Sequence, residues 1–274
     1  VYASEELARR GHRVKVYMSP PDESIWKSPF SNPQWLPEEL WNDHENKEEY
    51  DMVFMWRRFD IDTGRKRSKT VLLWPHDSPG FPIGSKFPNF DGVCILSEHQ
   101  RRQFLSVFNG FDKIPYTICG NGIVPEQFEG EIIKDNPYSI GYFSNYARGL
   151  AVLLIIWPEI KTEYPEATLS ICYGRETWNT LHPQLLEQLI QMIEKYKSIG
   201  VTEYGKVGHL ELASIMKNTS VWAYSANMQG LGETFCITAV KCQAAGCIPV
   251  TTRIGALNET VHIEAPSSSN ITSM

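Results

Sequence analysis

The chain has 274 residues, 42% of them hydrophobic, and a formal net charge of −6 at pH 7. It is long enough for two ordinary domains or one large domain with an apolar core. The acidic balance argues against nonspecific binding to nucleic acid, which attracts basic surfaces. Because no apolar run approaches the roughly 18 residues of a membrane span and no signal peptide is evident, we expect a soluble, cytoplasmic protein.

The cysteine pattern predicts neither a disulfide framework nor a zinc site. No C-x-x-C pair is present, and most of the six cysteines lie in apolar runs typical of strands or helices. We therefore expect reduced cysteines in the core of an intracellular protein. They are Cys94, Cys119, Cys172, Cys236, Cys242 and Cys247.

The two ends of the chain predict a doubly wound fold that is truncated on both sides. Residues 1–10 have the pattern of an amphipathic helix closed by Gly11, and residues 14–18 that of a strand. A doubly wound domain normally begins with a strand before that helix, so we expect the first strand and its glycine-rich loop to be missing. Residues 267–274 are polar and unpatterned, and we expect the chain to be cut at this end as well.

The next part of the chain places a histidine at the end of a strand. Residues 22–50 carry three tryptophans, which predict an ordered surface excursion. A strand is predicted at 51–56, and the basic run 65–69 is interpreted as a solvated loop. The following strand, 70–74, puts His76 at its carboxyl end, where ligands bind in doubly wound sheets.

From residue 91 onward, strand and helix patterns alternate, which predicts parallel sheets covered by helices on both faces. Ser97 is the expected N-cap of the first of these helices. The strands are predicted at 91–96, 116–119, 138–143, 168–173, 201–204 and 220–224, and the helices at 97–108, 150–164, 184–196 and 209–218. No G-x-G-x-x-G follows any of these strands, so a dehydrogenase fingerprint is not evident.

Residues 225–252 are predicted to bind an anion. Gly230 and Gly232 let the backbone approach a ligand, and a helix is expected to begin near Glu233 with its free N–H groups facing that loop. Gly246 ends the helical pattern, and the strand 248–252 follows at once.

The segment from Glu233 to Val250 resembles the donor-binding segment of retaining glycosyltransferases with the two-domain GT-B fold, family 4 in particular. That family has a Glu, then Phe-Gly or a variant, a second Glu eight positions after the first, a helix of small residues, a Gly and a Pro-Val strand. Glu233 matches the first carboxylate, whereas Lys241 stands at the position of the second. Since lysine has no hydrogen-bond acceptor, it departs from the family's recognition of the ribose diol.

The resemblance implies a fold and a set of domains. The fold is α/β, with two Rossmann-like domains facing each other across a cleft. The first domain, on the acceptor side, spans 1–123, the linker 124–136, and the domain that binds the nucleotide sugar 137–274.

The resemblance also implies a site for the donor. His76 and Glu233 are the catalytic candidates, next to the donor sugar. Arg148, with the backbone around Thr234, Phe235 and Cys236, is expected to hold the donor phosphates, because a guanidinium forms two charge-assisted bonds with a diphosphate. The remaining candidates are Gly208, His209 and Lys241 for the nucleotide and Asn121 and Gly122, which line the cleft.

The implied activity is that of a retaining hexosyltransferase that moves a hexose from a nucleoside diphosphate sugar to a glycan or lipid acceptor. No D-x-D flanked by strands is evident, and no cofactor or metal is expected. Peripheral association with a membrane is left open. Two alternatives remain: a non-catalytic GT-B relative that acts as a binding module, which Lys241 and the truncations favour, and a nucleotide-sugar epimerase.

Overall fold

The computed structural model describes residues 2–18, 32–43, 45, 47–175, 183–226 and 232–262. The chain forms two compact units. The N-terminal unit comprises Val1–Leu73 and Pro88–Asp91, and the main unit comprises Trp74–Phe87 and Gly92–Met274. Of the helices in the described ranges, none is both long enough and apolar enough to cross a membrane.

The N-terminal unit is a small α/β unit. Strand β1 pairs in parallel with β2, and β3 and β4 are neighbours in a second sheet. The elements are α1 (Tyr2–Arg9), β1 (Lys15–Tyr17), β2 (Gln34–Leu36), α2 (Glu39–Asn42), β3 (Val53–Trp56), α3 (Ile61–Arg65) and β4 (Val71–Trp74), whose last residue belongs to the main unit. The sequence predicted α1, β1, β3 and β4, but not β2 or the two short helices.

The basic run 65–69 was wrongly interpreted as a solvated loop. Arg67 is buried, donates to the carbonyl of Trp41 at 2.7 Å, and lies 5.0 Å from the centre of the Trp41 ring. Arg65 forms an ion pair with Asp91 at 2.6 Å. Asp91 also accepts from the backbone N–H of Val71. These cations therefore hold the N-terminal unit together, because each finds an acceptor in a distant segment.

The first part of the main unit contains short parallel strand pairs around an aromatic cluster. Strand β5 (Ser85–Lys86) pairs with β7 (Phe108–Asn109), and β6 (Gly92–Ile95) pairs with β8 (Tyr116–Ile118). Helix α4 (Glu98–Val107) connects β6 to β7. Its predicted N-cap is confirmed, since Ser97 Oγ accepts from the backbone N–H of Gln100 at 3.0 Å. The aromatic cluster consists of Phe87, Phe104, Phe108 and Phe111.

The rest of the main unit is a five-stranded parallel sheet with the strand order β11-β10-β9-β12-β13. Its strands are β9 (Ser139–Tyr142), β10 (Thr168–Cys172), β11 (Val201–Gly205), β12 (Val221–Tyr224) and β13 (Ile248–Thr251). Its helices are α5 (Leu150–Glu163), α6 (Pro183–Tyr196), α7 (His209–Lys217), α8 (Ile237–Ala244) and α9 (Leu257–Thr260). Apolar residues on both faces of these strands are fully buried, among them Leu169, Ile171 and Trp222. This is expected for a sheet that is covered on both sides.

The mixed α/β fold with parallel sheets is thus confirmed, but the predicted start of the helix after Gly232 was wrong. Helix α8 begins at Ile237 and not near Glu233. Cys236, which precedes it, has a left-handed backbone with φ 64°, a conformation that a helix cannot contain. The segment from Glu233 to Cys236 is therefore a loop. Gly230 lies outside the described residues, as does the first part of the predicted excursion at 22–50, including Trp26.

Candidate functional site

The strand order of the large sheet defines where a ligand is expected. The chain runs from β9 outward through β10 to β11, and then returns to the other side of β9 to form β12 and β13. The order therefore reverses between β9 and β12, which are neighbours. In open parallel sheets, ligands bind outside the carboxyl ends of the strands at such a switch point. The described residues that follow Tyr142 and Tyr224, 143–149 and 225–226, lie in this region.

The loop after β9 is folded tightly against the end of β12. Asn145 begins it by accepting the N–H of Ala147 at 2.9 Å, which starts a short 3-10 turn over Tyr146–Arg148. Gly149 ends the turn with φ 108°, and a Cβ atom at this position would lie 1.9 Å from the carbonyl oxygen of Ser225. Ser225 Oγ in turn donates to the Gly149 carbonyl at 2.7 Å. Arg148 is therefore fixed beside the switch point.

Arg148 and Glu233, which the sequence predicted separately, are brought together. Arg148 Nη1 donates to Glu233 Oε1 at 2.8 Å, with 40% of the Arg148 side chain exposed and 10% of that of Glu233. Burial lowers the pKa of Arg148, but the charge of Glu233 and the contacts with Tyr224 and Glu233 together outweigh it, so the pKa lies above its ordinary value. The Arg148 guanidinium thus stays charged while it faces both solvent and a buried carboxylate.

Tyr224, the last residue of β12, is a third member of this group and was missed by the sequence reasoning. Its hydroxyl donates to the same oxygen, Oε1 of Glu233. Burial, followed by the negative charge of Glu233, raises the pKa of Tyr224 far above its ordinary value, so the hydroxyl keeps its proton. The only sequence signal was its position at the carboxyl end of a predicted strand.

The loop that carries Glu233 is held on both sides. The carbonyl oxygen of Glu233 accepts from the N–H of Ala256 at 2.7 Å. Gly232 has φ 62°, and a Cβ there would lie 2.7 Å from the Cα of Gly255. Since no side chain fits between these two backbones, the loop is fixed where it presents Glu233 to the switch point.

The residues after Glu233 contact the segments that carry His76 and Gly120. Ser97 Oγ donates to the carbonyl of Thr234 at 2.6 Å, and Thr234 Oγ1 donates to the carbonyl of His76 at 3.2 Å. The ring of Phe235 lies so close to Gly120 that a Cβ on that glycine would be 2.4 Å from the ring. The structure therefore places the backbone of His76 next to the loop that carries Glu233.

Two of the predicted site residues have a strained backbone. His76 has φ 52° and Cys236 has φ 64°, in the left-handed region that residues other than glycine seldom adopt. The His76 ring lies 5.0 Å from the ring of Trp74. Burial, followed by the charge of Glu233, raises the pKa of Cys236 to about 12, so this thiol is not a nucleophile at neutral pH.

The predicted nucleotide residues lie on two neighbouring helices. Gly208 is the exposed N-cap of α7, and His209 is its first residue. Lys241 is half-buried on α8. Burial, and then the positive charge of Lys241, lowers the pKa of His209, and burial also lowers that of Lys241. Within the described part of the chain, the side-chain ammonium of Lys241 forms no hydrogen bond or ion pair.

Asn121 and Gly122 are not joined to the group around Glu233. Among the described residues, neither forms a hydrogen bond or an ion pair with another predicted site residue, and the contact of this segment is made by Gly120 through Phe235. In the same described ranges, no three side chains of His, Cys, Asp or Glu come together in a way that could hold a metal ion.

A second group of the same composition lies in this unit and provides a comparison. Arg175 donates to Glu203 through Nε at 2.9 Å and also through Nη2, and Tyr146 donates to Glu203 Oε1 at 3.2 Å. The exposed side-chain fractions are 39% for Arg175 and 8% for Glu203, close to those of the first pair. Here, however, both carboxylate oxygens are engaged. In the first group both donors bind Oε1, and Glu233 Oε2 has no partner among the described residues.

Comparison with solved structures shows that this is the fold of GT-B glycosyltransferases. The sucrose-phosphate synthase from Thermosynechococcus elongatus is similar with a TM-score of 0.69 and 16% identity, over 95% of this chain and 76% of that chain. The Anabaena protein HepE in complex with UDP and glucose has a TM-score of 0.59 and 14% identity, over 78% and 62%. The catalytic domain of starch synthase IV from Arabidopsis thaliana, bound to ADP and acarbose, has a TM-score of 0.57 and 10% identity, over 80% of this chain and 60% of that chain.

At these identities the similarity concerns the fold. The chain spans less than two thirds of the length of the second and third structures. No protein-family model matches the chain, and no curated protein matches it either.

Proposed function

We propose that this chain is a hexosyltransferase of the family 4 type, which moves a hexose from a nucleoside diphosphate sugar to a glycan or lipid acceptor with retention of anomeric configuration. The observation that carries the proposal is the convergence of Arg148, Tyr224 and Glu233 at the switch point of the large sheet. Two of the similar structures hold a nucleotide together with a sugar, which supports the same ligand class here.

Arg148 is the proposed ligand of the donor diphosphate. Its Nη1 is bonded to Glu233, and 40% of its side chain is exposed. A guanidinium has five N–H donors, so Arg148 can keep Glu233 on one and bind phosphate oxygens with others. As the bond to the sugar breaks, negative charge grows on the leaving diphosphate, and a fixed cation stabilises it without a metal ion. The backbone N–H groups around Thr234, Phe235 and Cys236 are proposed to add to this.

Glu233 is proposed to accept hydrogen bonds from hydroxyls of the donor hexose, with His76 close to the same sugar. Gly208 and His209 are proposed to contact the base, Lys241 the ribose side of the nucleotide, and Asn121 and Gly122 the cleft. Within this proposal, residues 137–274 bind the donor and residues 1–123 the acceptor, on either side of a linker at 124–136.

The proposed reaction proceeds on one face of the sugar. The acceptor oxygen forms a bond to the anomeric carbon as the bond from that carbon to the diphosphate oxygen breaks. The proton of the acceptor hydroxyl passes to the departing diphosphate oxygen. The configuration is retained without a second carboxylate at the spacing that a double displacement requires.

A non-catalytic relative that only binds a nucleotide sugar is the second candidate, and Lys241 is the observation that favours it. An ammonium cannot accept hydrogen bonds from the ribose diol, and this one is half-buried on α8. Turnover that is absent from the natural chain and from Lys241→Glu, although both bind the donor, would favour the binding module.

The phosphate assignment is tested by comparing two arginines of nearly equal exposure. We expect Arg148→Ala to weaken the binding of a nucleoside diphosphate by tenfold or more, since each hydrogen bond to a charged group contributes about 1.5–3 kcal/mol. Arg175→Ala removes the partner of an equally buried glutamate and is the control, with an affinity within about twofold of the natural chain. Isothermal titration calorimetry gives both values, and equal affinities of the two variants would contradict the assignment.

A further inference from the structure

Two arginine–glutamate–tyrosine groups of this chain differ in one respect, and the difference concerns a ligand. Glu203 has both oxygens bonded, Oε1 by Tyr146 and by Arg175 Nε, and Oε2 by Arg175 Nη2. Because both oxygens of this carboxylate accept hydrogen bonds within the protein, its role is structural. Glu233 receives its two donors on Oε1 alone, and Oε2 has no partner in the described part of the chain.

Oε2 of Glu233 is therefore the available acceptor. A carboxylate oxygen that is open at a switch point can accept a hydrogen bond from a ligand that donates. The residue as a whole is only 8% exposed, so a donor that reaches Oε2 must enter the site.

From this contrast we infer that Tyr224 is a positioning residue: its hydroxyl holds Glu233 by Oε1 so that Oε2 faces the hydroxyls of the donor sugar. This inference rests on the proposed function. Tyr224 is 1% exposed, and its ring is stacked on that of Trp222, with 5.3 Å between the ring centroids and 18° between the ring planes. A ring fixed in this way places its hydroxyl without rotamer freedom.

Arg148 cannot fill this role alone. Its side chain is 40% exposed, and in the proposed function it also binds the diphosphate. When Arg148 turns part of its guanidinium toward phosphate, the bond from Tyr224 remains and keeps Glu233 oriented. The Tyr224 hydroxyl contacts both Glu233 and Arg148, but only its bond to Glu233 orients the carboxylate. Arg148 is thus expected to affect nucleotide and sugar together, whereas Tyr224 is expected to affect mainly the sugar.

The test compares how strongly the chain prefers a sugar nucleotide to the bare nucleotide. Dissociation constants are measured by calorimetry for UDP, ADP and GDP and for UDP-glucose, ADP-glucose and GDP-mannose. The selectivity is the Kd of the diphosphate divided by the Kd of its hexose conjugate. We expect Tyr224→Phe to lower this ratio about tenfold while the affinity for the bare diphosphate changes by less than about twofold.

Tyr146→Phe is the matched control. It also removes a buried hydroxyl that donates to a glutamate paired with an arginine, and Tyr146 is 1% exposed as well. Tyr146 also lies in the turn that carries Arg148, so a shift of that turn would change both dissociation constants, but the selectivity ratio should equal that of the natural chain. Thermal unfolding of both variants shows whether the two substitutions perturb the fold to a similar degree.

A double-mutant cycle tests whether Tyr224 acts through the carboxylate of Glu233. In the Glu233→Gln background, Tyr224→Phe should change the ratio by less than about twofold, because the carboxylate that Tyr224 orients is gone. If Tyr224→Phe changes the selectivity ratio equally in the natural and the Glu233→Gln backgrounds, the inference is overturned. It is also overturned if the natural chain binds the conjugate and Tyr224→Phe leaves the selectivity ratio unchanged. If the natural chain binds none of the six compounds, the proposed function falls, and this inference with it.

Discussion

Gly149 is the residue on which the position of Arg148 depends, and its substitution by alanine has a calculable cost. With φ 108°, the backbone is in a region where an L side chain is strained, which costs about 1–2 kcal/mol. A Cβ atom would also lie 1.9 Å from the carbonyl oxygen of Ser225, and the neighbour is backbone, so no side-chain rotation relieves the overlap. Forced overlaps of this kind cost about 1–3 kcal/mol more.

Two other glycines separate the cost of backbone strain from the cost of steric overlap. Gly130 has φ 89° with nothing within 4 Å of its would-be Cβ, so Gly130→Ala carries strain without overlap, about 1 kcal/mol. Gly80 has neither, and Gly80→Ala should be within about 0.5 kcal/mol of the natural chain.

Thermal unfolding measures the series. At about 2–4 °C per kcal/mol, the total of about 2–5 kcal/mol for Gly149→Ala should lower the Tm by roughly 4–20 °C, and Gly130→Ala should lower it by about 2–4 °C. If Gly149→Ala is as stable as Gly130→Ala, the loop does not lie against Ser225 and the account of how Arg148 is positioned is refuted.

Two further substitutions test the contacts that hold the main unit. Glu259 accepts hydrogen bonds from the backbone N–H groups of Glu98 and His99 at the start of α4, each at 2.7 Å. Glu259→Ala should therefore lower the free energy of unfolding by about 1–2 kcal/mol and speed hydrogen exchange of those two amides. Unchanged exchange would contradict the contact. Lys134 donates to three carbonyls, those of Met216, Thr219 and Ala245. Lys134→Met should therefore lower the free energy of unfolding in urea by about 1.5–3 kcal/mol. A loss below about 0.5 kcal/mol would show that these carbonyls are solvated instead.

The pairing of Arg148 with Glu233 was beyond the sequence, although each residue was assigned by resemblance. The two are 85 residues apart and meet because the strand order reverses between β9 and β12. Periodicity predicts that strands and helices exist but not their order in the sheet. Tyr224 was missed for the same reason, since an aromatic residue at the end of a strand is most often part of the core.

The start of α8 illustrates how tertiary contacts override a local pattern. Residues 233–236 follow glycines and precede a helical run, which predicted an early helix. The loop is instead held by Ser97, which lies 137 residues away from Thr234, and by the packing of Phe235 on Gly120. Neither partner can be identified from the segment itself. Helices whose caps are local, such as α4 with Ser97, were predicted to within a residue.

The basic run 65–69 shows that contacts with distant residues also decide whether a charged residue is buried. A cluster of Arg and Lys usually faces solvent, and the sequence offers no sign that Arg67 packs on Trp41 or that Arg65 pairs with Asp91. Both contacts connect segments more than 20 residues apart. Charged residues are assigned to a surface or to the interior only once their partners are known.

Binding of nucleoside diphosphates to the natural chain tests the central claim most directly. A ligand that binds only the folded state raises its Tm, so UDP, GDP and ADP are added in turn, in EDTA and in magnesium. We predict that one of the three stabilises the chain equally in both buffers, because we propose that Arg148 and backbone N–H groups, not a metal ion, hold the phosphates. A folded chain whose Tm none of them shifts would contradict a donor site at Arg148 and Glu233.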